Sequence, residues 1–165
     1  LDLIDQRTFR DAVGRFATGV VLVTGVDDGV PVGFAVQSFV SLSLDPPLIA
    51  VCPARSSTSW PRIRAAGSFG INVLSMAQRP LCDAFARSGG DKFAGVSWRT
   101  ETTGAPIIGD VLAWVDCDLD AEHDAGDHTI AVGRVRAMAV TSDDAAGDPL
   151  LFFGGTYGAF AMTPE

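Results

Sequence analysis

Short apolar runs, each ended by glycine, proline or an aspartate-glycine pair, recur along this chain, and helical periodicity interrupts them only rarely. A chain written this way folds mainly as antiparallel strands joined by tight turns. Val20-Val21-Leu22-Val23-Thr24 reads as a buried strand, and Asp27-Asp28-Gly29 is a hairpin turn signal, so residues 20–38 are expected to form a hairpin. Ser38 to Leu44 alternates, with Val40, Leu42 and Leu44 on one face and Phe39, Ser41 and Ser43 on the other. Asp45-Pro46-Pro47 breaks that run, and Leu48 to Cys52 is the next strand. Phe69–Leu74, Leu112–Leu119, Thr129–Val140 and Pro149–Phe153 complete the strand candidates. Helices are expected over residues 5–17, from Ser56 to Gly67, and over Met76–Arg87. The first is capped by Asp5, carries Phe9, Val13 and Phe16 as its apolar stripe, and ends by Gly19. Residues 88–109 read as loop. Helices do not alternate regularly with strands, so a mostly antiparallel β-barrel with peripheral helices fits better than a parallel doubly wound sheet.

The 165 residues make one domain, 1–165, and 47% hydrophobic residues exclude disorder. So apolar a small chain has surface to spare for a second copy of itself, and a homodimer is expected. A net charge of −8 disfavours nonspecific nucleic-acid binding. An anionic ligand must therefore be held locally, by a few of the eleven arginines, by hydroxyls and by backbone N–H groups. Cys52, Cys82 and Cys117 lie far apart with no CxxC, so neither a disulfide framework nor a zinc ribbon is indicated and a cytoplasmic location is expected. No apolar run approaches a membrane span, and no signal peptide is visible. The Rossmann fingerprint, the P-loop, the G-x-S-x-G elbow and H-E-x-x-H are all missing.

Four clusters could carry chemistry. The strand Gln37-Ser38-Phe39-Val40-Ser41-Leu42-Ser43 offers amide and hydroxyl partners to a planar heteroaromatic, or is simply a solvent-facing strand. Arg55-Ser56-Ser57-Thr58-Ser59 precedes a helix and suits a phosphate, although plain capping needs only one hydroxyl. Gly126-Asp127-His128 places a histidine beside a carboxylate at a turn, which reads as a positioned ligand-site histidine or as a surface histidine rather than a metal site. Asp91 to Trp98 holds the single lysine, Lys92, in a segment that also reads as a loop anchored by Phe93 and Trp98.

Taken in order, these segments resemble the flavin reductase family with the FMN-binding split-barrel fold. The landmarks are Phe9-Arg10, Thr18 to Thr24, Gly33 to Phe39, Ser41 to Leu48, Ser56 to Trp60, Phe69 to Leu74, Asp91 to Gly95, Gly126-Asp127-His128, and Pro149 to Phe152 with Gly155-Thr156-Tyr157. The resemblance implies a hydride transfer from NADH or NADPH to FMN or FAD, with reduced flavin released to a separate monooxygenase. A flavin- or haem-binding sensor or carrier on the same barrel is the alternative. It also implies roles for particular residues. Val36, Gln37, Ser38 and Phe39 would line the isoalloxazine, while Ser41, Leu42 and Ser43 would hold the ribityl side. Arg55, Ser56 and Ser59 would take the phosphate, with Asn72, Phe85 and Ala86 near the flavin. His128 would meet the nicotinamide, helped by Arg10 and Tyr157.

Overall fold

The structure, a computed structural model, describes residues 4–142 and 147–160. Helix α1 (Gln6–Val13) is capped by the Asp5 carboxylate, which accepts from the N–H groups of Arg7 and Thr8. It is followed by β1 (Thr18–Gly19), β2 (Val21–Asp27), β3 (Val30–Val36), β4 (Val40–Leu44) and β5 (Pro47–Val51). Then come α2 (Trp60–Ala66), β6 (Ser68–Val73), a 3-10 turn over Met76–Gln78 and α3 (Arg79–Phe85). The rest is strand: β7 (Trp98–Thr100), β8 (Pro106–Ile108), β9 (Ala113–Ala125), β10 (His128–Val140), β11 (Leu151–Phe153) and β12 (Thr156–Gly158).

Seven strands form one antiparallel sheet in the order β3-β2-β6-β9-β10-β5-β4. The β2–β3 hairpin turns on Asp28 and Gly29, both at positive φ, as its two-residue loop requires. Strands β3 and β4 lie at opposite edges of this sheet, yet only residues 37–39 join them. An extended connection of that length spans at most about 14 Å. The sheet must therefore curl until its edges nearly meet, without bonding to each other. That is a barrel with an open seam, a split barrel, and the mostly antiparallel barrel with peripheral helices is the architecture seen.

Strand β2 is buried on both faces, which explains its unbroken apolar run. Val21 and Val23 pack with Trp60, Ile63, Phe69 and Ile71 in one core. Val20 and Leu22 pack with Leu74, Cys82, Phe85 and Leu150 in another. Trp60 anchors α2, with its ring edge-on to Phe34 and Phe69 and its Nε1–H donating to Glu122.

Several local expectations change. Helix α1 stops at Val13 rather than near residue 17, and none of its residues is buried; Phe9, Val13 and Phe16 are exposed. The predicted Met76–Arg87 helix is a 3-10 turn followed by the shorter α3, which has Pro80 in its first turn. The loop-rich 88–109 stretch contains the short β7–β8 hairpin. Strands β1 and β12 sandwich β11 in a second, three-stranded sheet, which two- and three-residue strands do not announce by periodicity.

Candidate active site

A cavity of about 460 Å³ opens where the seam meets α3 and the tip of the β9–β10 hairpin. Val36, Gln37 and Ser38 supply one wall, at the end of β3 and in the connection that follows. Cys52, Ala54 and Ser57 supply a second, from the loop after β5. Cys82 and Ala86 come from α3, Tyr157 from β12 and His128 from the start of β10.

Backbone bonds hold these pieces together. The Arg55 N–H donates to the Asp127 carbonyl at 2.9 Å, the Thr129 N–H donates to Pro53 at 3.0 Å, and Ala54 bridges to His128. The loop after β5 is thereby clamped to the hairpin tip, and Ser57 and His128 face one cavity. Ser38 fixes the other side, because its Oγ accepts from the Cys52 N–H at 2.9 Å.

The hairpin tip is a two-residue turn, Gly126-Asp127, with Gly126 at φ 67°. His128 Nδ1 lies 2.7 Å from an Asp127 carboxylate oxygen. The carboxylate can only accept, so Nδ1–H donates and fixes the ring's orientation. Among the described residues, Nε2 has no protein partner. The same bond holds the Asp127 carboxyl below its ordinary range. Across the cavity, Tyr157 and Cys82 share a hydrogen bond of 3.5 Å, and that bond with burial pushes the Tyr157 phenol up to about 12. Arg79 stands 5.1 Å over the Tyr157 ring, and Phe152 packs edge-on to it. Both fix the ring's position.

Among the candidates read from the sequence, the structure brings Val36, Gln37, Ser38, Ala86, His128 and Tyr157 to this cavity. Others lie elsewhere. Asn72 is fully buried in β6, where it donates to Leu22 and Thr24 and accepts from the Ile108 N–H, so it pins β8 to the sheet and has nothing left for a ligand. Phe85 is buried against Phe93, and Phe39 turns into the core. Ser41, Leu42 and Ser43 sit on edge strand β4 outside the cavity, where a bulge at Leu42 breaks the expected alternation. Ser59 is buried and donates to the Gly33 carbonyl, and α2 begins only at Trp60. Arg55 is engaged by Asp124 and by the Gly126 carbonyl, and Ser56 is exposed outside the cavity. From the hydroxyl row, Ser57 is the one that reaches it. Arg10 lines a neighbouring cavity. Lys92 is held by the carbonyls of Gly33 and Phe85, and burial lowers its pKa, which is a structural role.

Nothing in the sequence setting of Cys52, Ala54 and Cys82 distinguishes them from core. Only the β5–β10 pairing and the packing of α3 bring them to the seam.

The flavin reductase like domain matches residues 13–161. This chain belongs to that family. The flavin reductase of Pseudomonas putida is 51% identical over 159 residues, covering 96% of this chain and 92% of that one. The reductase subunit HsaB of a Rhodococcus jostii flavin-dependent monooxygenase is 46% identical over 156 residues, covering 94% and 78%. The NADH-dependent FMN reductase SmoA of Agrobacterium fabrum is 44% identical over 157 residues, covering 95% and 87%. The crystal structure of a nitrilotriacetate monooxygenase component B homologue from Mycobacterium thermoresistibile has a TM-score of 0.92 at 44% identity, covering 98% of this chain and 92% of that one. The NADH:FAD oxidoreductase SgcE6 of Streptomyces globisporus, solved with NAD and FAD fragments, has a TM-score of 0.87 at 34% identity, covering 98% of each chain. The flavin reductase domain here is therefore an oxidoreductase of the split-barrel type that acts on flavin.

The cavity fits a flavin. Its walls are mostly apolar, from Val20, Phe34, Ala35, Val36, Ala54 and Ala86, with a few hydroxyl, amide and imidazole groups around the rim. That is the lining a planar ring system with polar edges requires.

Proposed function

We propose that residues 1–165 act as one NAD(P)H:flavin oxidoreductase domain that delivers reduced flavin to a separate monooxygenase. The observation that carries the site assignment is the Asp127–His128 pair at the rim of the seam cavity. Bound together, the two ligands carry out a hydride transfer that belongs to their own chemistry. The protein's part is to position them.

Val36, Gln37 and Ser38 present backbone and side-chain groups along the curled sheet edge to the flavin ring. Ser57, and the turn around Ser56, face its ribityl phosphate; Arg55 supports that turn through Asp124 rather than by direct contact. Asp127 orients His128, and Nε2 accepts from the carboxamide of the nicotinamide. Ala86 and Tyr157 close the far side. A cavity open along a seam suits a flavin that arrives and leaves.

Exposed apolar side chains remain on edge strand β4, where Val40, Leu42 and Leu44 are at least half exposed. A second copy covering them gives the homodimer. None of the helices among the described residues is long and apolar enough to cross a membrane, and a cytoplasmic site of action accords with a reaction that draws on NADH. The test is the loss of reduced-nicotinamide absorbance on adding FMN, FAD or riboflavin to the purified protein. Flavin-dependent oxidation of NADH or NADPH supports the proposal. Tight stoichiometric flavin without turnover overturns it in favour of a carrier.

A further inference from the structure

Asp127 and His128 sit at the tip of the long β9–β10 hairpin, and exposed tips are where local disorder concentrates. Both side chains reach solvent: Asp127 is 95% exposed and His128 45%. Their mutual hydrogen bond orients the imidazole within the turn, but it does not orient the turn against the cavity. The backbone bonds from Pro53 and Ala54 reach only the β10 side of the tip, at Thr129 and His128. The turn itself needs a further hold.

Arg55 supplies it. Its Nε–H donates to the Gly126 carbonyl at 2.9 Å, and its Nη2 donates to the Asp124 carboxylate. Its backbone N–H donates to the Asp127 carbonyl, also at 2.9 Å. One residue thus bonds Asp124, Gly126 and Asp127. Among the described residues, no other side chain from outside the hairpin makes a hydrogen bond to this tip. The planar guanidinium makes the double grip possible, because it donates in two fixed directions at once. Arg55 does not line the seam cavity, although Ala54 and Ser57 on either side of it in the loop do. Its charge is turned to the hairpin and away from the ligand space.

We propose that Arg55 is a positioning residue for the hydride transfer: by holding Asp124 and Gly126 it sets the hairpin tip against the seam cavity, and so aims the Asp127–His128 pair at the nicotinamide. This role rests on the reductase reading. The ion pair with Asp124 is exposed, so it adds little to stability. What it fixes is direction. A tilt of the turn carries His128 Nε2 away from the carboxamide, and rate falls steeply with such misplacement.

Steady-state kinetics with NADH test this, first with FMN and then with riboflavin, which has no phosphate. Arg55→Ala keeps the backbone bond to Asp127 and removes both side-chain bonds. It is expected to raise the KM for NADH about three- to fivefold with either flavin, and to leave the KM for the flavins nearly unchanged. Arg55→Lys is expected to restore only part of the loss, and Asp124→Asn to shift the KM in the same direction. In the double variant Arg55→Ala/His128→Ala, the KM for NADH is expected to equal that of His128→Ala alone, because Arg55 acts through the imidazole. Additive effects overturn the proposal, since a general loosening of the fold would add to the loss of the histidine. So does an unchanged KM for NADH. A loss confined to FMN, with riboflavin unaffected, also overturns it and makes Arg55 a phosphate ligand. Arg55 is half exposed, and the melting temperature of each variant reports its fold. Where Arg55→Ala melts early, Asp124→Asn with and without His128→Ala carries the same comparison. A wild-type protein that oxidises neither NADH nor NADPH with either flavin overturns the reductase reading itself.

Discussion

Replacing His128 with alanine removes the imidazole but leaves the hairpin turn on Gly126 intact. Loss of one hydrogen bond to the nicotinamide is expected to raise its KM about tenfold, with flavin affinity nearly unchanged. Steady-state kinetics at saturating flavin read this directly. Asp127→Asn is expected to give a smaller effect of the same kind, since it keeps a group that can accept from Nδ1–H but loses the charge. Cys52 gives an independent probe of the cavity. It is partly exposed there, whereas Cys82 and Cys117 are buried. A thiol reagent is expected to modify Cys52 first in the native protein, and flavin is expected to slow that reaction. Mass spectrometry of the labelled peptides identifies the site. Residues with a local signature were readable from the sequence: a histidine after Gly-Asp at a turn, a lone Gln-Ser pair after a strand. Asn72 shows where such reading fails. The resemblance puts it near the flavin, yet its side-chain carbonyl is taken by the Ile108 N–H.

At the scale of elements, the long β9–β10 hairpin sets the geometry, because its tip carries His128 and its bulges bend it around the barrel. One bulge falls at Gly133, where an added Cβ would lie 2.6 Å from the Phe69 ring and 3.0 Å from Ile49. Gly133→Ala is expected to destabilise the fold by about 1–3 kcal/mol, seen as a lower denaturant midpoint at unchanged slope. The strands of the main sheet were legible because burial on one or both faces writes itself into apolar runs. Edge elements were less so. The large apolar side chains of α1 and β4 are at least half exposed among the described residues, and a bulge at Leu42 interrupts the alternation of β4. Their side chains therefore said less about the interior than the periodicity suggested. The brief β1 is held by pairing with β11 near the other end of the chain, which no local pattern encodes.

For the molecule as a whole, the buried thiols give stability an alkaline limit. Burial pushes the Cys117 thiol up to about 12 from an ordinary 9.0. The folded state thus holds a proton that the unfolded chain releases above pH 9, so this contribution is complete below that point and fades as pH rises toward 12. Cys117→Ala is expected to flatten the fall in stability across that window relative to the wild-type protein, as measured by denaturation at several pH values. The barrel's seam has one more consequence. Two distant edges of the sheet are joined in sequence by residues 37–39, and Gln37 and Ser38 of that link are also cavity wall. A single chain cut there, by a protease or by circular permutation, would leave every strand pairing in place and remove only the covalent link between the two edges. The chain's continuity across three residues thus acts together with the shared core, Val32 and Phe34 with Ile49 and Trp60, to keep the two walls of the cavity opposite each other.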